Sequence, residues 1–70
     1  MRLSYDKSTD SLYIELLPMA AKRTREIESD VNVDLGADGE VVGYDIQHAS
    51  TKHDLILSII FAAETSIAAE

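Results

Sequence analysis

Residues 31–47 read VNVDLGADGEVVGYDIQ, and this stretch decides the fold. Apolar residues recur at every second position on both sides of Asp38-Gly39, which is the period of strands with one buried face. An Asp-Gly pair between two such runs is a strong signal for a tight hairpin turn. The stretch therefore predicts two antiparallel strands, over residues 31–35 and 41–47.

The sequence before this hairpin predicts three more strands. Alternation over residues 3–6 and 11–17 indicates a hairpin, and Pro18 ends its second strand because proline cannot donate to a ladder. Residues 22–28 fit either a helical turn or a third strand, and the flanking strands favour a charged edge strand. Gly43, inside the last strand, indicates a bulge or a close backbone approach.

The C-terminal segment changes period and predicts a helix over residues 54–68, with Asp54 as its N-cap and Ser50 and Thr51 as earlier candidates. One arc of about 100° on a helical wheel collects Ile56, Ile59, Ile60, Ala63 and Ile67. A sixth strand over residues 55–61 is the alternative, because β-branched residues favour strands. Nearby alanines favour the helix. We therefore expect one α+β domain over residues 1–70, an antiparallel meander of about five short strands with one C-terminal helix.

Leu57 and Phe61 lie off this apolar arc, one helical turn apart. Leaving them exposed in a monomer would forgo roughly 1.5–3 kcal/mol of apolar burial each. A chain of 70 residues has a thin core and commonly needs a disulfide, a metal or a partner, and this one has no cysteine. We therefore expect a homo-oligomer whose interface contains Leu57, Phe61 and Ile60.

The chain is acidic, with a formal net charge of −7. An acidic surface is repelled by phosphate backbones, so we expect no nucleic-acid partner, whereas a basic protein would be attracted. The candidate charged surface consists of outward carboxylates on the last two strands and their loop: Asp34, Asp38, Glu40 and Asp45. The alternative is that the charge serves only solubility.

The termini carry no targeting or membrane signal. The N-terminal residues lack the apolar stretch of a signal peptide. The longest apolar run, residues 55–63, is shorter than the ~20 residues that a membrane-spanning helix needs. We therefore expect a cytoplasmic protein without a membrane partner.

Three groups of residues are candidate chemical sites. Residues 30–34 resemble the start of a calcium loop, but the motif's glycine and final glutamate are missing. Asp6 and Asp10 flank the first turn, where they are either an acid–base pair or turn-stabilising acceptors. His48 and His53 are five residues apart, which is not the spacing of a helical metal pair.

The basic residues Lys22, Arg23 and Arg25 precede several acidic residues, so we expect local neutralisation rather than a phosphate or partner contact. No reaction class finds its required residues, and the sequence predicts no catalytic residue, metal or cofactor. The leading expectation is a non-enzymatic structural or interaction module that self-associates. A weak metal-binding or enzymatic domain that uses the outward carboxylates remains an alternative.

Several motifs, in order and spacing, resemble a bacterial family of small acidic proteins, domain of unknown function 2283. They are YD at 5–6, DSLYI at 10–14, VNVDL at 31–35, DG at 38–39, VGYDI at 42–46 and AS at 49–50. The resemblance implies a small β-rich fold without an assigned activity. It implies core positions for Tyr5, Leu12, Ile14, Val31, Val33, Val42 and Ile46. Members are similar in size and charge to bacterial antitoxins, which implies a second function, inhibition of a small basic toxin.

Overall fold

The computed structural model describes residues 1–68. Its elements are β1 (Arg2–Asp6), β2 (Ser11–Glu15), β3 (Arg23–Glu28), β4 (Val31–Leu35), β5 (Val41–Gln47), a 3₁₀ turn (Ala49–Thr51) and α1 (His53–Ala68). The expected α+β fold is confirmed, and the ambiguous segments resolve as a strand over residues 23–28 and a helix over residues 55–61. The 3₁₀ turn was not anticipated from the sequence.

The five strands form one antiparallel sheet in the order β1-β2-β5-β4-β3. Strands that follow one another in sequence pair as in a meander, except that β2 lies beside β5. This pairing sets Leu12 opposite Ile46 and Ile14 opposite Tyr44. Apolar side chains thereby line up across the sheet, and β1 and β3 become its edges.

One face of the sheet is apolar and contains the core. Its fully or nearly fully buried side chains are Leu12, Ile14, Val31, Val33, Leu35, Val42 and Ile46, with Ala49 of the 3₁₀ turn beside them. Most of them come from β2, β4 and β5, since residues opposite one another across paired strands share a face. We call this side the apolar face, and the opposite side the polar face.

Helix α1 packs on the apolar face against side chains of β2, β4 and β5. Leu55, Ile56 and Ile59 pack against the core cluster. Ile60 is half-buried, as expected for a side chain near this contact, and the side chain of Ile67 lies outside the part of the chain that the structure describes. Among the described residues, no helix is long and apolar enough to cross a membrane.

The start of the helix differs from the prediction. The N–H of Ile56 donates to the carbonyl of Lys52 at 3.0 Å, and α1 begins at His53. Asp54 is therefore inside the first turn and is not the N-cap. Its carboxylate still lies near the positive end of the helix dipole, which is a favourable place for an anion.

The prediction that β1 buries one face is wrong. All of its residues are exposed, including Leu3 at 51% and Tyr5 at 55%. Tyr5 was expected in the core. The reason is topological, because α1 packs over the central strands and leaves the edge strand uncovered on the apolar face.

Strand β2 is shorter than the predicted range of 11–17, because it ends at Glu15. The N–H groups of Leu16 and Leu17 both donate to the carbonyl of Val42, at 2.8 and 3.1 Å. Two successive donors on one acceptor cannot continue a regular ladder, so the chain bends here, before Pro18 is reached.

Candidate interaction surfaces

The polar face collects carboxylates from all five strands. The strand register places Asp34 of β4 opposite Gly43 and Thr24, and places Asp45 of β5 opposite Tyr13 and Asn32. In the same register, Glu15 and Glu26 lie on this face. Since facing residues share a side of the sheet, five acidic side chains, Asp6, Glu15, Glu26, Asp34 and Asp45, lie on one surface.

Asp34 is the centre of a hydrogen-bond network on this face. The Tyr13 hydroxyl donates to Oδ2 of Asp34 at 2.8 Å, and the Thr24 hydroxyl donates to Oδ1 at 2.7 Å. Tyr13 reaches Asp34 by crossing Gly43. A Cβ at Gly43 would lie 2.7 Å from Cζ of Tyr13 and 2.7 Å from the carbonyl oxygen of Ile14. The close approach predicted for this glycine is confirmed.

The sheet is also irregular beside Gly43. Asp34 pairs with Gly43, whereas the next residue, Leu35, pairs with Val41, so that Val42 is an extra residue in β5. An extra residue of this kind is a β-bulge, which bends the strand and increases its local twist. Both features predicted at this glycine, a bulge and a close backbone approach, are therefore present in this part of β5.

The surroundings of Tyr13 stabilise its neutral, protonated hydroxyl. Burial and the neighbouring Asp34 carboxylate raise the pKa of Tyr13 to about 12. The hydroxyl thus remains a hydrogen-bond donor at all ordinary pH values. The Tyr13 side chain thereby links β2 to β4 by a hydrogen bond that spans the intervening strand, β5.

A second chain of hydrogen bonds continues along the polar face. Ser11 donates to Oε1 of Gln47 at 2.9 Å, and Nε2 of Gln47 donates to Oδ1 of Asp45 at 3.1 Å. A shallow depression of about 230 Å³ lies alongside, with Ser4, Tyr13 and Asp45 in its lining. It is an open part of the surface of the sheet and does not enclose a ligand.

A second group of polar residues lies at one end of the sheet, around Asp10. Its carboxylate accepts the Tyr5 hydroxyl at 2.7 Å, the Ser50 hydroxyl at 2.7 Å and the Ser50 N–H at 3.1 Å. The backbone carbonyl of Asp10 accepts the N–H of Ala49 at 2.9 Å. Asp10 therefore connects the first hairpin to the 3₁₀ turn, whereas turn chemistry within its own loop was expected.

The turn interpretation holds for Asp6. Its Oδ1 accepts the N–H of Ser8 at 3.0 Å and the Ser8 hydroxyl at 2.7 Å. These two bonds lower the pKa of Asp6, and the bond from the hydroxyl has the larger effect. Bonds from Ser50 and then Tyr5 lower the pKa of Asp10. Neither aspartate has the raised pKa that a general acid near neutral pH would need.

Three residues near this end of the sheet have left-handed backbone angles without being glycine. They are Asp10, Asp30 and His48, with φ of 54°, 65° and 54°. His48 Nδ1 lies 3.0 Å from Oδ2 of Asp30, and the Gln47 N–H donates to the Asp30 carbonyl at 2.8 Å. Aspartate and histidine are among the side chains enriched in this conformation, so the strand ends turn sharply here without glycine.

Two of the three predicted oligomer residues, Leu57 and Phe61, lie on the outer side of α1. Leu57 is 63% exposed and Phe61 is 74% exposed, while Ile60 is half-buried. The Ser58 hydroxyl between them donates to the Leu55 carbonyl at 2.7 Å, so this polar group is satisfied within the helix. We call Leu57, Ser58 and Phe61 the helix patch.

The predicted charged surface is divided by the structure. Asp34 and Asp45 lie on the polar face, and Asp38 is exposed in the loop between β4 and β5. Glu40 turns back into that loop, where Oε1 accepts the N–H of Asp38 at 2.9 Å. Asp6, Glu15 and Glu26 also lie on the polar face. Glu15 was missed because its place beside Asp45 depends on β2 lying next to β5, whereas the sequence assigns Asp6 to the first turn and Glu26 to local neutralisation of the basic residues.

The basic residues before β4 do not neutralise this acidic face. Arg23 and Arg25 pair with Leu35 and Val33, which places them on the apolar face. Among the side chains of residues 1–64, the ion pairs are Arg2 with Glu15 at 3.2 Å and His48 with Asp30, and neither Arg23 nor Arg25 is in one. The expected local neutralisation is therefore not seen. In the same described range, no group of three or more metal-binding side chains converges.

The chain matches one protein family over residues 2–50, described as "Protein of unknown function (DUF2283)". This chain belongs to the DUF2283 family. No curated protein and no solved structure matches it.

The DUF2283 match has a structural boundary. Residues 2–50 contain all five strands and reach into the 3₁₀ turn, whereas α1 begins at His53. The polar face, the Asp10 cluster and the free edge of β1 therefore lie in the DUF2283 part of the chain. The helix patch lies outside it, and any role of that patch is argued from this chain alone.

Proposed function

We propose that this DUF2283 chain is a non-catalytic interaction module that self-associates through the helix patch. The observation that carries the proposal is the exposure of Leu57 and Phe61, at 63% and 74%, on the side of α1 that faces away from the sheet. These side chains are one turn apart and form one apolar strip.

A second copy of the chain is the occupant that fits this strip best. The strip is narrow, and a two-fold axis doubles it by bringing Leu57 of one copy against Phe61 of the other. Burying these side chains contributes roughly 1.5–3 kcal/mol each. The Ser58 hydroxyl, which lies between Leu57 and Phe61, is already hydrogen-bonded within the helix. Close contact between two helices would therefore not bury an unpaired hydroxyl.

The small core also favours assembly. The buried side chains of the described residues come mainly from three central strands, and both edge strands remain exposed. Domains of this size that lack disulfides and metals commonly gain stability from a partner subunit. Self-association supplies that stability without any catalytic function.

Sedimentation velocity at high micromolar concentration tests this proposal. The wild-type protein should sediment as an assembly, and the Leu57→Ser/Phe61→Ser double variant should have a lower mass at the same concentration. Ile27→Ser is the matched control, because Ile27 is also 51% exposed but lies on β3. A monomeric wild-type protein, or a mass that both variants leave unchanged, would sink the proposal.

A second candidate function is binding of a basic protein, as an antitoxin would bind a small basic toxin. The observation that favours it is the polar face, where Glu15, Glu26, Asp34 and Asp45 share one surface. Opposite charge speeds association and makes it sensitive to salt.

Co-purification with the product of an adjacent gene, where that product is small and basic, tests the second candidate. Binding should fall as salt rises, and it should fall further in Glu26→Gln/Asp45→Asn. Asp38→Asn is the control, because it removes one charge from the loop and leaves the polar face intact. Binding that Glu26→Gln/Asp45→Asn does not weaken would exclude the polar face as the contact.

A further inference from the structure

We infer that the free edge of β1 pairs antiparallel with β1 of a second copy, joining two five-stranded sheets into one. Strand β1 is an edge of the sheet, and its residues, Arg2 to Asp6, are all exposed. Its register with β2 runs without interruption over all five residues. Such an edge offers a straight row of unpaired N–H and C=O groups to another strand.

The other edge of the sheet is protected against such pairing. Strand β3 has a register shift between Glu26 and Glu28, and its sequence RTREIE is charged at four of six positions. Bulges and charges are the usual devices that prevent strands from pairing at an exposed edge. Strand β1 has no register shift and carries charges only at its two ends, Arg2 and Asp6.

The sequence of β1, RLSYD, is complementary to itself in antiparallel order. A two-fold axis at Ser4 sets Arg2 opposite Asp6 of the second copy, Leu3 opposite Tyr5, and Ser4 opposite Ser4. Opposite charges and an aromatic–aliphatic pair are favourable across strands. Both ends of the paired strands thus carry an ion pair, and the middle carries apolar and small side chains.

Existing contacts of the charged residues leave room for the new ones. Arg2 already contacts Glu15 through Nε at 3.2 Å, and its guanidinium has further donors. Ser8 donates to Oδ1 of Asp6, and a carboxylate has a second oxygen that can accept from Arg2 of the second copy.

Other registers pair the strand less well. Side chains of paired residues must share a face, so the register can shift only by moving the axis one residue, to Leu3 or to Tyr5. An axis at Leu3 opposes Arg2 to Ser4, and an axis at Tyr5 opposes Asp6 to Ser4. Both shifts lose the two ion pairs, whereas the axis at Ser4 pairs all of Arg2 to Asp6.

The edge contact also covers apolar surface that the monomer leaves exposed. Leu3 and Tyr5 lie on the apolar face beside the part that α1 covers. In the joined sheet, these residues of both copies form one strip between the two helices. The contact is distinct from the helix patch, so with both surfaces engaged the wild-type assembly is larger than a dimer.

Single cysteines on β1 test the pairing, since the chain has no cysteine of its own. Paired antiparallel strands hold opposite Cα atoms about 4.5–5.5 Å apart, which is within the range of a disulfide. With oxidised glutathione as the oxidant, Ser4→Cys should form an interchain disulfide roughly tenfold faster than Glu26→Cys, because pairing raises the local thiol concentration. Glu26→Cys is the matched control, on the same face and on the other edge.

The same assay shows which residues of the two β1 strands lie opposite each other. Leu3→Cys and Tyr5→Cys should each cross-link more slowly than Ser4→Cys, because neither side chain meets its own copy when the axis is at Ser4. Arg2→Glu should slow the cross-linking of Ser4→Cys, and adding Asp6→Arg should restore it by exchanging the charges. The proposal is overturned if Ser4→Cys is no faster than Glu26→Cys, or if Leu3→Cys or Tyr5→Cys is the fastest.

The edge contact and the helix patch can fail separately. Ser4→Cys should cross-link equally well in the Leu57→Ser/Phe61→Ser background. If the assembly loses mass in that background but Ser4→Cys does not cross-link, the edge contact is excluded and the helix contact is supported. If Ser4→Cys cross-links and the helix substitutions leave the mass unchanged, the helix contact is excluded and the edge contact is supported.

Discussion

Asp10 connects parts of the chain that are far apart in sequence. Its carboxylate accepts both the hydroxyl and the N–H of Ser50, forty residues away, and also the hydroxyl of Tyr5. The charged form of Asp10 is favoured by these bonds, which lower its pKa in the folded state. A group with a lowered pKa stabilises the fold above the ordinary pKa of 3.8, and the effect is lost as the pH falls through the folded-state value.

Asp10→Asn should therefore lower the melting temperature at neutral pH and flatten its fall below about pH 4. Asparagine tolerates the left-handed backbone of this position, so the substitution tests the carboxylate and not the turn. Thermal melts between neutral pH and about pH 2 measure the effect. Asp38→Asn is the control, and part of the acid dependence should persist because Asp6 also has a lowered pKa. Equal pH profiles for wild type and Asp10→Asn would contradict this role.

Tyr13 should keep its proton until about pH 12 in the folded protein, because burial and then Asp34 raise its pKa. Asp34→Asn should lower that pKa by removing the nearby negative charge. Since the raised pKa favours the neutral phenol in the fold, stability should decline as the pH rises above 10, the ordinary value. NMR titration of the tyrosine Cζ resonances measures both effects. An unchanged Tyr13 pKa in Asp34→Asn would contradict the network.

At the scale of elements, central and edge strands contribute differently to stability. Ile46 of β5 is fully buried, whereas Ile27 of β3 is 51% exposed. Removing buried methyl groups costs their transfer free energy and leaves a cavity, so Ile46→Ala should cost roughly 2–5 kcal/mol of unfolding free energy. Ile27→Ala should change it by about 0.5 kcal/mol or less. Urea denaturation measures both, and similar costs would contradict the described burial.

The elements themselves could be predicted from the sequence, but their neighbours could not. The alternation of Val31, Val33 and Leu35 marks a strand and its buried face, because side chains on a strand repeat every two residues. Nothing in that alternation says that β2 pairs with β5. Since Glu15 joins the acidic face, and Asp10 meets Ser50, through this arrangement of strands, both were missed.

The exposed helix patch, by contrast, could be predicted. Leu57 and Phe61 lie outside the arc of residues that pack on the sheet, and a helix hides only one side of itself against a sheet. The exposure of Leu3 and Tyr5 could not be predicted, because the same alternation describes a strand under the helix and a strand at the edge.

At the scale of the whole molecule, charge opposes compactness. The formal net charge is −7, and five carboxylates share the polar face. Like charges held close together destabilise the folded state, and salt screens them. Sodium chloride should therefore raise the melting temperature. Glu26→Gln should raise it at low salt and reduce its dependence on salt, whereas a melting temperature that falls with salt would show that attraction dominates.

The position of β2 beside β5 has a consequence for the order of folding. Strands β3, β4 and β5 pair through short local connections, whereas β2 and β5 are separated by the chain of both intervening strands. Closing the longer loop between β2 and β5 costs more entropy before their contacts can form. The unit of β3, β4 and β5 should therefore form first, and the hairpin of β1 and β2 should pack against it later. Stopped-flow kinetics should then show that Val33→Ala mainly slows folding and Leu12→Ala mainly speeds unfolding. During that interval the newly formed β5 would offer an open edge to any neighbouring chain, which makes dilute conditions the safer choice for refolding.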